Sequence, residues 1–547
     1  MGRVRTAWKA WTPMLVFSCF CLVVGDMLFG FDTGSFGGIL AMPGLSHFVR
    51  LHRKMTNPQG FLNQFGTETN GKWALTPLRT SLLSSLAFIG KAIGCLGAGP
   101  LIEWLGHRKV FVILCIISCI GVIIEITSAD TALGSGRLAQ FIVGRIIVYI
   151  SVGLVEICIS TYQAEIVPAP LRGFTVCSLQ LFLNAGGLLA TGVNKAFSKD
   201  DTSRGWKTVT GIQFVFPVLI MAFVPFLPDS PRWLLSKDRP ADALHSMRRL
   251  RTREEVASGA CAEELAVIQV QLQQRVHKAS WLDCFRGTNA RRTGLVIAYY
   301  IYQQITGQAW VSTYQTVFYK ENGYADHAFT YPIISSCLSV LAVLPCMYFS
   351  DVLGRRKVLL GSFFFQALWL CLLAGIGERS NKTESMKEAC VAFFMLFAVS
   401  YSLGGAPVPY LLGAELPNHS LREKTSTIGT TINVVFAFAT NFSIPYMMKA
   451  LHFRVGWIFG GISISALVFT FLFLPETKNL TLEQVDHLFE KPYNPFRSFA
   501  KLDRWTKHPA LLEQGLQEPD PAYIDSWPSS TDSDKDKDIM RYESDLR

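Results

Sequence analysis

Apolar residues along this chain gather into uninterrupted runs of about 20 residues, the length that crosses a bilayer, rather than into the stripes of a soluble helix or the alternation of a strand. Twelve runs predict twelve membrane-spanning helices, at 13–41, 78–102, 109–128, 137–166, 172–194, 208–228, 292–318, 328–350, 357–377, 389–413, 425–448 and 455–474. The first run is too long for a cleaved leader, contains Asp26 and Asp32, and lacks a small-residue cleavage site, so it is expected to remain as a span. The fold class is therefore all-α and polytopic. Residues 1–12 lead in, 13–228 form one six-helix half, 229–291 a helical linker and 292–474 the second half. Residues 475–547 form a tail, expected to be disordered after about 499, where apolar periodicity gives way to Asp, Ser, Lys and Pro.

An even number of spans puts both termini on one side. Arg3, Arg5 and Lys9, with Arg248, Arg249, Arg251, Arg253, Arg291 and Arg292 of the linker, place that side in the cytosol. The connection at about 42–77 is then external and polar. Within the linker, Ala241–Arg251 and Glu254–Val276 read as short amphipathic helices that cap the cytosolic mouth or lie on the membrane surface. Of the four N-x-S/T sequons, this topology leaves only Asn381 as a glycan acceptor; Asn418 and Asn479 would be cytosolic and Asn441 intramembrane.

Composition adds exclusions. Half of the 547 residues are hydrophobic and only 17% are charged. The net charge of +10 sits beside the membrane ends, where it sets orientation and implies no nucleic-acid partner. The 13 cysteines show neither metal nor paired spacing, so neither a metal nor a disulfide framework is expected. No nucleophile–base set emerges, which argues against an enzyme, and nothing calls for a cofactor.

The exceptions inside the apolar runs carry the chemistry. Asp32, in Gly30-Phe31-Asp32-Thr33-Gly34, lies ~30 Å along the first helix, where an ionised carboxylate costs at least a few kcal/mol without a partner or a wet cavity. Arg145 is the only arginine deep inside an apolar run, and as a permanent cation it would hold Asp32 ionised. Asp26, Lys91, Glu125 and Glu156 are further ionisable residues within spans. Glu156 lies three helical turns after Arg145 and could join a relay; Lys91 could pair with Glu156 or Asp26; Glu125, near a span end, is expected to face water.

Three local patterns recur about 250 residues apart. Glu103-Trp104-Leu105-Gly106-His107-Arg108-Lys109 echoes Asp351-Val352-Leu353-Gly354-Arg355-Arg356-Lys357; Glu165-Ile166-Val167-Pro168 echoes Glu415-Leu416-Pro417; Pro228-Asp229-Ser230-Pro231-Arg232 echoes Pro475-Glu476-Thr477-Lys478. One common offset implies two similarly oriented halves around a central site. Together with Ser280-Trp281-Leu282-Asp283-Cys284-Phe285, these motifs resemble the sugar porter family of the major facilitator superfamily over about residues 11–495, in a fungal type.

The resemblance implies transport of a small-molecule sugar by alternating access, with Asp32 the protonated residue of proton symporters and Arg145 its partner. It also implies cytosolic gate pairs across the halves, Glu165 with Arg355 or Arg356 and Glu415 with Arg108, beside Asp351, which hold the outward-facing state and break when the inner mouth opens. Substrate contacts are implied at Gln180, at Gln303 and Gln304 in Gln303-Gln304-Ile305-Thr306-Gly307, at Gln308, at Tyr410 and at Asn433. Neutral amides and one aromatic face suit a polyhydroxylated ligand. Ala309 replaces the family's asparagine and Tyr410 its tryptophan, which widens the cavity and points beyond a simple glucose site to a larger glycoside or another polyol. A monomer in contact with lipid, in the plasma membrane, is expected. A facilitator, an exporter of a fungal metabolite and a non-transporting nutrient receptor remain open on sequence alone.

Overall fold

The computed structural model describes residues 11–42, 61–69, 72–128, 134–168, 172–200, 203–274, 280–321, 323, 327–379, 383–418, 421–478, 485 and 489. Asn381, Asn479, the tail after 499 and the side chain of Asp351 lie outside the described residues.

The first six spans are Pro13–Ala41, Pro77–Leu105, His107–Thr127, Gly134–Ile166, Arg172–Ala196 and Ser203–Phe226. The seventh is broken into Gly287–Ile305, Gln308–Ser312 and Gln315–Glu321, and the eighth and ninth are Tyr331–Val352 and Arg355–Gly377. The tenth runs from Glu384 to Glu415, with a π-helical turn at Tyr401–Gly405 immediately before Pro407. The eleventh and twelfth are Arg422–Leu451 and Val455–Phe473. Every expected run is a helix. The fifth carries Gln180, Asn184 and Asn194, and the seventh carries Arg291, Arg292, Gln303, Gln304 and Gln308. Both helices thus carry polar groups that lipid would not tolerate on all sides.

The repeat is visible in the backbone. Gly106 and Gly354 open the third and ninth spans at φ +80° and +95°, a conformation that favours glycine. Around each opening the three repeated motifs meet. In the first half Ser230 donates to Glu165 Oε2 at 2.5 Å, and Arg108 lies 3.4 Å from Asp229 Oδ2. In the second half Thr477 donates to Glu415 Oε2 at 2.8 Å. There Glu476 accepts from the backbone N–H groups of Arg355 and Arg356, a carboxylate at a helix N-terminus.

The linker folds as Pro231–Ser236, Pro240–Leu250, Arg253–Ala257 and Ala260–Gln274. Ala243, Met247, Cys261 and Leu265 bury against Leu234 and Leu235, so its apolar faces are largely satisfied internally. Leu250 joins the core of the first half, and Thr12 donates to the Leu250 carbonyl. The linker is therefore seated under the first half. Among its residues, burial raises the Cys261 thiol above its usual range, with Glu264 and Glu255 adding to the rise and Arg251 and Arg248 opposing it.

Two cores lie toward the linker face, one within each half. Toward the opposite, distal face one core spans both halves, bringing Phe36, Ile39 and Leu40 to Trp310, Val311 and Tyr314. Ser84 and Tyr314 share a 2.5 Å hydrogen bond, Ser81 donates to the Phe442 carbonyl and Lys320 to that of Ala41. A Cβ on Gly37 would collide with the Thr313 carbonyl. The structure is closed at its distal face. Gly37→Ala is expected to wedge that seam apart, so that cysteine reagents applied from the distal side reach a reporter at Val311. Unchanged labelling would contradict this closure.

The distal connection is less polar than expected. Phe61 and Phe65 are buried against Phe141 and Trp206, and Arg79 donates to the Phe65 and Gly66 carbonyls. A two-stranded antiparallel hairpin, Thr67–Thr69 with Lys72–Ala74, follows. Asn441 is buried and donates to the Ala437 carbonyl, as its intramembrane placement requires.

Candidate functional site

Asp32 and Arg145 meet in the first half, with Oδ2 and Nη2 3.7 Å apart and the side chains 0% and 3% exposed. The contact is loose: Asp32 Oδ2 and Arg145 Nε have no hydrogen-bond partner among the described residues. Asp32 Oδ1 accepts from Gln213 Nε2 at 2.9 Å, and Arg145 donates to the Tyr149 hydroxyl at 3.2 Å. The guanidinium sits 3.6 Å from the centroid of the Phe36 ring, which supplies cation–π attraction. Phe36 also belongs to the distal core that joins the halves. Phe36 thus touches both this pair and the distal seam.

Glu125 departs from expectation. It is 1% exposed, lies against Gly144 and acts electrostatically on both Arg145 and Asp32. A run's end marks a helix end in sequence, but the helix face decides exposure, and this face turns to the fourth span. One arginine therefore serves two buried carboxyl groups. With all three ionised the site carries an unbalanced negative charge, the condition under which neighbouring carboxyls share a proton. Gln213 was not singled out from sequence; its only signal was an amide within the apolar sixth run.

Lys91 resolves its choice of partner. Its Nζ lies 2.9 Å from Glu156 Oε2, and it stacks 4.4 Å from the Phe29 centroid. Of the two partners open to Lys91, Glu156 is the one it pairs with. Tyr410, from the second half, donates to Glu156 Oε1 at 3.1 Å.

The amides of the second half converge. Asn433 Nδ2 donates to Gln303 Oε1 and to the Tyr300 carbonyl, each at 2.9 Å, while Gln304 Nε2 donates to Asn433 Oδ1 at 3.1 Å. Gln303 Nε2 donates to the Ala406 carbonyl at 2.7 Å, at the break in the tenth span. Gln180 donates to Asn184 at 3.0 Å, and Asn184 reaches across to the Ser339 carbonyl at 3.3 Å. Gln308 opens the middle piece of the seventh span after Gly307. Tyr300 and Tyr410 meet edge to face at 5.7 Å.

The gate residues pair differently from the expected arrangement. Arg355 binds Glu415 at 2.9 Å within the second half, and Arg108 contacts Asp229 within the first, so in this conformation the pairs lie within the halves and the Glu415–Arg108 pair across them is not formed. Glu165 accepts from Ser230, with His107 Nε2 3.8 Å away, rather than forming the expected pair with Arg355 or Arg356 as its geometry here. Arg356 donates to the Phe471 carbonyl. The physical reason is conformational: cross-half latches suit a closed linker face, whereas here the closed seam is distal. His107 occupies the place of Arg355, and its longer contact makes the first half's latch the weaker.

A twelve-helix, two-half membrane protein with a polar cluster at broken helices is the architecture of a transporter. Residues 18–489 match the family described as "Sugar (and other) transporter". The chain belongs to that family, in the major facilitator superfamily, and is not an enzyme.

It is 29% identical over 504 residues to the major facilitator-type transporter ecdD of Aspergillus rugulosus, covering 88% of each chain. It is 26% identical to the hexose transporter HXT10 of Saccharomyces cerevisiae, covering 89% of this chain and 87% of that one. It is 27% identical to the high-affinity gluconate transporter ght3 of Schizosaccharomyces pombe, covering 88% and 84%. Among solved structures, the proton:xylose symporter XylE bound to 6-bromo-6-deoxy-D-glucose matches with TM-score 0.71 at 20% identity, covering 87% of this chain and 99% of that one. An inward-open XylE from E. coli matches with TM-score 0.67 at 20% identity, covering 86% and 99%. These structural matches establish the fold.

Proposed function

We propose that this protein is a proton-coupled sugar symporter of the plasma membrane, working by alternating access with both termini in the cytosol. The observation that carries this reading is the buried, loosely held Asp32–Arg145 pair with a second acid beside it. Protonating Asp32 releases its attraction to Arg145. Phe36, stacked on that guanidinium, passes the change to the distal seam, and the halves rock. On this reading the structure is inward-facing, and the intra-half gate pairs are the released latches. Arg108, Glu165, Asp351, Arg355, Arg356 and Glu415 re-form them when the cytosolic mouth closes.

Gln180, Gln303, Gln304, Gln308 and Asn433 offer the sugar neutral donors and acceptors, and Tyr410 one aromatic face. A mono- or oligosaccharide, including a glycoside larger than a hexose, fits this set. The test is uptake of D-glucose, D-xylose, gluconate and cellobiose by cells lacking endogenous transporters, with cytosolic pH recorded. Sugar-dependent acidification is expected; uptake without it would leave a facilitator.

Asn433 holds both seventh-span glutamines, so Asn433→Ala takes a partner from the Oε1 of the buried Gln303 and from the Nε2 of the half-buried Gln304. Its KM is expected to rise roughly ten- to a hundredfold with a smaller change in maximal rate. An unchanged KM would remove this cluster from the sugar site.

A further inference from the structure

The break in the tenth span is held from the ninth. Its π-helical turn covers Tyr401–Gly405, and the Ala406 N–H donates to the Tyr401 carbonyl at 2.9 Å, five residues back. Pro407 and Pro409 follow and bring no N–H, so the backbone below the break does little to fix it. Ser362, on the ninth span, is 4% exposed and touches both ends of the turn. Its hydroxyl donates to the Ser400 carbonyl at 2.7 Å and accepts from the Gly405 N–H at 2.9 Å. It also accepts from Gln366 Nε2 at 2.8 Å, which fills its donor and both lone pairs. Other buried serines here, such as Ser400 and Ser463, donate to the carbonyl four residues back in their own helix. Ser362 donates to a neighbouring helix instead. Two glycines allow the approach. A Cβ on Gly404 would lie 2.9 Å from the Ser362 Cβ, and one on Gly405 2.6 Å from Gln366 Nε2. Trp369, two turns further along the ninth span, donates to Ser400 Oγ at 3.1 Å.

The turn in its place holds the amide cluster. Tyr401 donates to the Gln303 carbonyl at 3.1 Å, and the Ala406 carbonyl accepts from Gln303 Nε2 at 2.7 Å. Gln303 Oε1 is the group that Asn433 binds. We propose that Ser362 is a positioning residue for the sugar site: its hydroxyl fastens the π-helical turn, and the turn sets Gln303. Rewinding to α-helical spacing would pass the Ala406 N–H to the Ser402 carbonyl and rotate the helix below by about 100°, carrying the Ala406 carbonyl off Gln303. The bearing on sugar rests on the proposed function; the fastening does not.

The test compares the full-length wild type with Ser362→Ala and with Ser362→Cys, which keeps a weak S–H donor and acceptor. In lipid nanodiscs without sugar, backbone hydrogen exchange across residues 401–406 should quicken roughly fivefold or more in Ser362→Ala, and by less in Ser362→Cys. Phe364→Ala, at an exposed position of the same helix, should leave it unchanged. In proteoliposomes, with whichever of D-glucose, D-xylose, gluconate and cellobiose is taken up, KM should rise roughly tenfold in Ser362→Ala while the maximal rate stays within about twofold. Ser362→Cys should lie between. A serine that only packed two helices would lower the amount of folded protein without moving KM. Unchanged exchange in Ser362→Ala, equal quickening in Phe364→Ala, or a Ser362→Cys no better than Ser362→Ala would overturn the fastening. A KM raised in Asn433→Ala but not in Ser362→Ala would overturn the positioning role alone. A KM unmoved in both would be the failure of the sugar reading and would take the positioning role with it, while hydrogen exchange decides the fastening by itself.

Discussion

Asp32→Asn is expected to abolish sugar accumulation against a gradient while leaving exchange of sugar across the membrane within a few-fold of the parent. Asparagine keeps the shape of the side chain and can still accept from Gln213, whose amide lies 2.9 Å from Asp32 Oδ1. It cannot carry a proton. The variant should fold well, because Glu125 continues to balance Arg145 in the buried site. Concentrative uptake and counterflow, measured on the same proteoliposomes, separate the two activities. Retained accumulation would remove Asp32 from coupling.

Arg145→Leu is expected to be the more damaging change. It leaves Asp32 and Glu125 buried with no cation between them and strips Phe36 of its stacked guanidinium. Removing one partner of a buried ion pair costs about 3–5 kcal/mol. Both acids then hold protons, and the coupled cycle stops. Exchange and accumulation should both fall by at least tenfold, with a lowered melting temperature in detergent. Adding Asp32→Asn to this variant should recover part of the stability, since one stranded carboxyl is gone. No recovery would mean that Asp32 and Arg145 do not stabilise one another.

These expectations differ in how far they were legible in the sequence. The spans were readable because lipid demands length and hydrophobicity, and the repeat was readable because both halves build the same carboxylate–hydroxyl contact from Glu165 with Ser230 and Glu415 with Thr477. The amide cluster around Asn433 was readable because glutamines in an apolar helix need partners. Depth along a run could be counted, but rotation about the helix could not. Glu125 was therefore placed at a wet end when its face turns inward, and Lys91 was left between Asp26 and Glu156.

The gate pairs expected across the halves belong to another conformation. A sequence encodes every conformation of the cycle, whereas the pairs observed belong to one of them. Arg355 has Glu415 within reach in its own half, and the same groups can exchange partners when the linker face closes. Phe61 and Phe65 were hidden because a short helix in a connection has too few residues to show a period.

The central claim is that sugar and proton cross together because Asp32 must be neutralised for the halves to move. Its most direct measurement is proton influx into proteoliposomes on addition of whichever of the four sugars is taken up, with the membrane potential clamped. The wild type is expected to acidify the lumen in step with sugar entry, and Asp32→Asn to pass sugar with no acidification. Sugar entry in the wild type without proton influx, or equal influx in Asp32→Asn, would contradict the account.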